Sequence, residues 1–180
     1  NKKEYEYDKI LNLLNAQGDM EVKDEINDYK KKKKKITYLK NKEKIFTKGK
    51  TNALIKSKYD FESENLIFFR NESKLISSNK SKILEDSSTL YKLDKFEYLL
   101  EKEILKGINV EVMTNIDLPK IERDKYVFKD GIFDIGKRDF SASDTKIYIK
   151  KNIYENPDND PRIYGVSSKK NGNITVLNKA

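Results

Sequence analysis

Residues 45–55, Ile-Phe-Thr-Lys-Gly-Lys-Thr-Asn-Ala-Leu-Ile, set the period of the whole chain. Ile45, Thr47, Gly49, Thr51, Ala53 and Ile55 fall on one side of a two-residue alternation, and Lys48, Lys50 and Asn52 fall on the other. Successive side chains of a strand point to opposite faces, so this is the pattern of a strand with one buried face. Ile108, Val110 and Val112 alternate with Asn109 and Glu111, and Ile147 and Ile149 alternate with Lys146, Tyr148 and Lys150. The same rule predicts half-buried strands there, each group sharing one face.

A longer period overlies the short one. Gly18, Gly49, Asn79 and Gly107 follow one another at intervals of 31, 30 and 28 residues, and 11 positions before each stands an aromatic residue: Tyr7, Tyr38, Phe68 and Phe96. Between ring and glycine lie polar, turn-forming patches such as Lys40-Asn41-Lys42 and Arg70-Asn71-Glu72. Each copy reads as strand, turn, strand, with short turns at Asn41 and Asn71. Gly and Asn tolerate positive φ, which predicts a repeated bulge or kink at their shared position. Tyr7, Ile10, Leu11 and Leu14, and likewise Leu93, Phe96, Leu100 and Ile104, have helical spacing, but the repeat assigns both stretches to strand and turn. Asn156 to Arg162, with two prolines and two aspartates, reads as a loop.

The fold class that follows is all-β, a repeat-built stack of antiparallel strands, and one domain of this kind uses all 180 residues. Apolar residues make up 36% and charged residues 38%, so apolar material has to be concentrated on one face of each strand. The 11 Tyr and 8 Phe argue against a disordered chain. A net charge of +8 favours acidic partners: nucleic acid, an anionic membrane surface or a phosphorylated glycolipid. The chain has no His and no Cys, which removes the commonest acid–base residue, the thiol nucleophile and most transition-metal sites. Carboxylate pairs such as Asp158 and Asp160, or Glu21 and Asp24, read as solvated turn residues. No catalytic residue, metal site or cofactor is therefore expected, and the chain reads as a non-enzyme. Lys30 to Lys35 is the densest basic run, either an anion-binding patch or, the preferred reading, a solvated loop between strands around Val22 and Tyr38. No stretch approaches the length of a membrane helix. The start at Asn1 and the stop at Ala180, just after the alternating Ile174 and Val176, read as the ends of a piece of a longer protein.

The inward stripe is the feature that carries function. Strands that mix Ile, Val, Tyr and Phe with Thr, Ala, Gly and Ser on one face can enclose an elongated apolar groove suited to an acyl chain, or can close into an ordinary packed sandwich core. Ile36, Tyr38, Ile45, Thr47, Phe61, Phe68, Val110 and Ile147 are the candidate lining residues.

The run Phe140-Ser141-Ala142-Ser143-Asp144 with Lys146 and Ile147, followed by Asn156, Pro157, Asn159-Asp160-Pro161-Arg162-Ile163-Tyr164-Gly165-Val166-Ser167-Ser168 and Gly172-Asn173-Ile174-Thr175, resembles the segment before the barrel in LPS-assembly proteins of the LptD/OstA family, especially their alphaproteobacterial forms. Ala16, Gly18, Met20, Val22 and Asp24 resemble the strand repeat of the same family. The resemblance implies a V-shaped, OstA-like periplasmic β-jellyroll over residues 1–155, and a loop and strand over 156–180 leading toward an outer-membrane barrel that is not in this chain. It implies a place on the periplasmic side of the outer membrane. There the jellyroll receives lipopolysaccharide (LPS) from an LptA-like bridge protein and guides its acyl chains toward a barrel that has an outer-membrane lipoprotein partner. Ala16, Met20 and Val22 would form the edge strand that meets the bridge, and nucleic acid would not be a partner. Two rival readings remain open: a bridging or surface β-repeat protein without lipid conduction, and a basic nucleic-acid-binding protein.

Overall fold

The computed structural model of the protein describes residues 4–24, 29–154 and 161–179 and, within these, all side chains but those of residues 17–34, 152 and 154. The fold is all-β and jellyroll-like: the described residues form sixteen strands in one antiparallel sheet and otherwise short 3-10 segments, turns and loops. β1 (Glu4–Asp8) and β2 (Leu13–Asp24) make a hairpin, and β3 (Tyr29–Leu39) follows. Next come β4 (Lys44–Thr47), β5 (Lys50–Ile55), β6 (Tyr59–Glu64) and β7 (Ile67–Phe69). They lead to β8 (Lys74–Ser77), β9 (Ser81–Glu85), β10 (Thr89–Leu93) and β11 (Lys95–Leu99). The longer strands β12 (Ile104–Met113), β13 (Lys125–Asp134), β14 (Asp139–Tyr148) and β15 (Arg162–Asn171) continue the stack, and β16 (Ile174–Asn178) ends it.

The sheet is folded on itself. β3 pairs with β5 through its first half and with β4 through its second, and β12 pairs with β11 and then with β10 in the same manner. Between these two shared strands run an upper layer, β5-β6-β9-β10, and a lower layer, β4-β7-β8-β11. Each rung is thus a V. Its vertex is a corner at 48–49, 65–66, 78–80 or 94, and its ends are turns: 56–58 and 86–88 on the upper layer, 40–43, 70–73 and 100–103 on the lower.

The corners follow from residue choice. Gly49 (φ +78°) and Asn65 (φ +54°) supply the left-handed backbone of neighbouring corners, and the Gly49 N–H donates to Asn65 Oδ1 at 2.8 Å. Inside the vertex the side chains are small and hydroxylic. Thr51 donates to Thr47 Oγ1 at 3.0 Å, and Ser63 lies 2.8 Å from Ser77 and 2.7 Å from Ser81, all buried. Small residues let the layers converge, and their mutual hydrogen bonds offset the loss of water.

The Ile45–Ile55 stripe is one inner face as read, with Gly49 at its vertex. The two stretches of helical spacing are strand and turn, and the turns at Asn41 and Asn71 are single 3-10 turns (Lys40–Lys42 and Arg70–Glu72). Four expectations need correction. First, of the glycine slots, only Gly49 uses positive φ. Gly18 marks a register slip of β2 between Gln17 and Met20, Asn79 donates its side-chain amide to Glu64 O, and Gly107 provides space, since a Cβ there would sit 2.7 Å from Val110 Cγ2. Second, Ile108 does not share a face with Val110 and Val112. Asn109 (φ +51°) makes the corner of β12, two outward residues occur in succession, and the inward set becomes Leu105 and Gly107, then Val110 and Val112. Third, Lys30–Lys35 is not a loop but part of β3, whose backbone pairs with β2 along this run and with β5 at Lys30–Lys32. An unbroken lysine run hides the strand because it carries no alternation. The side chains of Lys30–Lys34 lie outside the described residues. Fourth, Arg162 begins β15 instead of closing a loop; residues 155–160 lie outside the described residues.

The core fills the angle between the layers. Phe61 of the upper layer meets Phe96 and Tyr98 of the lower at ring distances of 5.6 and 5.0 Å, and Tyr59 meets Tyr98 edge-on at 6.1 Å. Ala53, Ile55, Phe68, Leu75 and Ile83 complete this part without exposed surface. Burial of each of the Ile, Leu and Phe side chains contributes on the order of 1.5–3 kcal/mol.

Candidate functional site

Beyond β12 the stack changes character. β13, β14 and β15 continue the V, but the apolar interior is no longer closed. A cavity of about 200 Å³ opens between Tyr91 and Val112 on one wall and Phe128, Phe133, Ile135 and Phe140 on the other. Phe128 holds the wall together: its ring lies 5.3 Å from Phe133, 5.0 Å from Phe140 and 6.4 Å from Tyr126, the last stacked nearly parallel. Gly131 lets Phe133 fold back over the strand, since a Cβ there would meet that ring at 2.7 Å. Arg138, Lys170, Asp134 and Asp139 stand at the rim, and Lys170 Nζ donates to Arg138 O at 2.7 Å. The cavity is smaller than the roughly 300–1,000 Å³ of small-molecule pockets, so it suits a length of hydrocarbon chain better than a whole lipid.

The mouth of the V is polar. Glu103 Oε1 lies 2.6 Å from Lys56 Nζ, and Glu103 Oε2 accepts from the Tyr59 hydroxyl at 3.1 Å. Glu85, whose side chain is 1% exposed, has Lys58 Nζ at 3.1 Å and Arg138 at 3.7 Å, and accepts from the Tyr91 hydroxyl at 3.3 Å. The buried Tyr98 hydroxyl makes no hydrogen bond among the described residues. The Lys56 hydrogen bond holds the Glu103 carboxyl below its ordinary range against the opposing effect of burial. Burial pushes the Tyr59 phenol up to about 12, so it remains a donor to Glu103 at neutral pH. Burial also raises Tyr91 and Tyr98. For Lys58, burial acts to lower the ammonium, but hydrogen bonds to Tyr59 and Glu85 outweigh it and raise it.

The eight lining candidates all face inward, though not in one place. Ile36, Ile45, Phe61, Phe68 and Val110 belong to the closed core, and Tyr38 packs against it with its hydroxyl on Glu43. Thr47 sits at the vertex, bonded to the carbonyl of Leu66. Ile147 is buried opposite Tyr126 on β14, outside the main cluster. The open cavity is lined by residues that the sequence does not place among the lining candidates, Tyr91, Tyr126, Phe128, Phe133 and Arg138. Glu85 could have been found, because it occupies the inward slot after Ser81 and Ile83 in an otherwise regular alternation.

Both ends of the sheet present backbone. Among the described residues, β1 pairs β2 over Leu13–Gln17, so Met20 and Val22 lie on a stretch paired by a described strand on the β3 side alone, whereas Ala16 is flanked by Tyr5 and Ile36. The side chains of Met20 and Val22 lie outside the described residues. At the other end β16 pairs Ser167–Asn171 of β15, and no described strand lies beside Ile163–Val166 on that side, where Ile163, Tyr164 and Val166 are exposed. No protein-family model matches the chain, and no curated protein is detectably similar to it.

Proposed function

We propose that this protein is a lipid-carrying jellyroll of the LPS-assembly type, acting on the periplasmic side of the outer membrane and passing acyl chains along the interior of its V. The observation that carries the reading is the aromatic cavity between Tyr91, Val112, Phe128 and Phe140. It is an apolar space at the open end of a continuous inward face, with Arg138 and Lys170 at its rim where the phosphates of an anionic glycolipid would lie. Placing the acyl chain inside buries apolar area, and placing the phosphates at the rim leaves them hydrated and charge-paired. The stretches of β2 beyond Gln17 and of β15 at Ile163–Val166, each paired on one side only among the described strands, suit strand addition by a bridge jellyroll on one side and continuation toward a barrel on the other.

The test is LPS binding by the purified chain, compared with Phe128→Asp and Glu111→Gln. The reading expects wild type and Glu111→Gln to bind, and Phe128→Asp, which puts an unpaired carboxylate in the cavity wall, to lose binding. Undiminished binding by Phe128→Asp would reject the cavity as the lipid site. A second reading, a bridging scaffold with a dry core, is favoured by the closed packing around Phe61, Phe68 and Tyr98, and absence of LPS binding in the folded wild type would select it.

A further inference from the structure

The two layers are joined covalently at the vertex, whereas backbone bonds at the mouth run within a layer: Asp86 N to Lys58 O above, Leu100 N to Ser73 O and Ile135 N to Glu103 O below. Across the gap stand two carboxylates, one per layer, each facing a cation of the other. Glu103, in a lower-layer turn, holds Lys56 of an upper-layer turn. Glu85, at the end of upper-layer β9, faces Arg138 from the turn between β13 and β14, which continues the lower layer beside Ile104. Arg138 is also a rim residue of the aromatic cavity, as Tyr91 on Glu85 is a wall residue. We propose that these crossed pairs latch the mouth, and that an anionic single-chain amphiphile seated in the cavity releases it by drawing Arg138 away from Glu85.

Three features fit a closure made to open. The Lys56–Glu103 pair is partly exposed on both sides, and such pairs hold weakly. Arg138 is well exposed, so its guanidinium is free to take a carboxylate or phosphate head group. Glu85 Oε1 has Lys58 of its own layer at 3.1 Å as well as Arg138 at 3.7 Å, so the buried carboxylate keeps a cation when Arg138 is drawn away. Parting the layers leads from the cavity into the closed core around Phe61 and Tyr98. An entering chain replaces ring contacts with its own, so apolar burial is kept. The inference rests on the lipid-carrying reading for its trigger but not for its latch.

Hydrogen exchange of the ligand-free protein tests the latch. Glu103→Lys, which sets two cations face to face, should speed exchange in turns 56–58 and 100–103 on the order of tenfold, and the swap Lys56→Glu with Glu103→Lys should restore most of the protection. Glu103→Gln should give a smaller rise, and serves if the reversal does not fold. Unchanged exchange, or no recovery in the swap, overturns the latch. Decanoate and decanol then test release. Decanoate should speed exchange around Glu85 in wild type, decanol should not, and Arg138→Gln should abolish the difference. Equal effects of acid and alcohol on wild type overturn competition for Arg138. If neither binds by calorimetry, the release and the lipid-carrying reading both fail, while the exchange of the charge-swap variants still decides the latch.

Discussion

Replacing Phe61 with Ala should be far more costly than replacing Phe140, although both are inward rings on the same folded sheet. Phe61 has no exposed surface, touches Phe96 and Tyr98, and lies between Ala53 and Ile83 on strands hydrogen-bonded to it from both sides. Phe→Ala in a core costs about 3–5 kcal/mol, and each aromatic pair adds about 0.5–1.5 kcal/mol beyond its area. Two ring contacts and a doubly paired backbone that cannot collapse into the hole place Phe61→Ala near the top, about 4–5 kcal/mol. For a chain of this size that lowers Tm by about 10–15 °C. Phe140 is half-buried and borders a cavity of about 200 Å³, so its removal enlarges an existing space and should cost about 1–2 kcal/mol. Urea unfolding followed by circular dichroism measures both, with an unchanged slope showing that the native state alone is affected. Equal costs, or a loss below about 2 kcal/mol for Phe61→Ala, would refute the division of the interior into a closed half and an open half.

Other expectations follow from the corners and the mouth. Gly107→Ala should destabilise by about 1–3 kcal/mol in the same assay, because the new methyl meets Val110. Asn65→Ala should cost about 1–2 kcal/mol and Asn65→Gly less, since alanine loses both the bond to Gly49 and the ease of positive φ, whereas glycine loses only the bond. Glu103 is held below its ordinary value of 4.5, so its stabilisation should be whole above that pH and lost as pH falls through the folded value; thermal melts of Glu103→Gln should lack this part of the acid loss.

The strands were legible wherever alternation was present. Ile45–Ile55 shows its face directly, and the interval of about 30 residues anticipates the V because each rung and its return have nearly equal length. Alternation fails at the corners, where outward residues succeed one another: Ile108 followed by Asn109 moves Ile108 out of the core, a change that two-residue counting cannot see. It fails again in Lys30–Lys35, where pairing on both sides makes a strand of residues with no apolar signal. The cavity was legible only as scattered rings. Tyr91, Phe128 and Phe140 lie on three strands whose splay depends on the fold, and nothing local distinguishes them from Phe61. Glu85 and Glu103 lie far from their opposing cations in sequence, Glu85 from Arg138 and Glu103 from Lys56, and the pairs form only across the mouth.

Photo-crosslinking to LPS tests the central claim most directly. A photo-reactive residue replacing Val112 or Phe140, which line the cavity, should crosslink to the lipid, and one replacing Glu111, one residue along from Val112 on the other face, or the exposed Lys48 should not. Equal crosslinking from both sets, or none from either in folded protein, would contradict a lipid path through the V and leave a β-scaffold with a closed core.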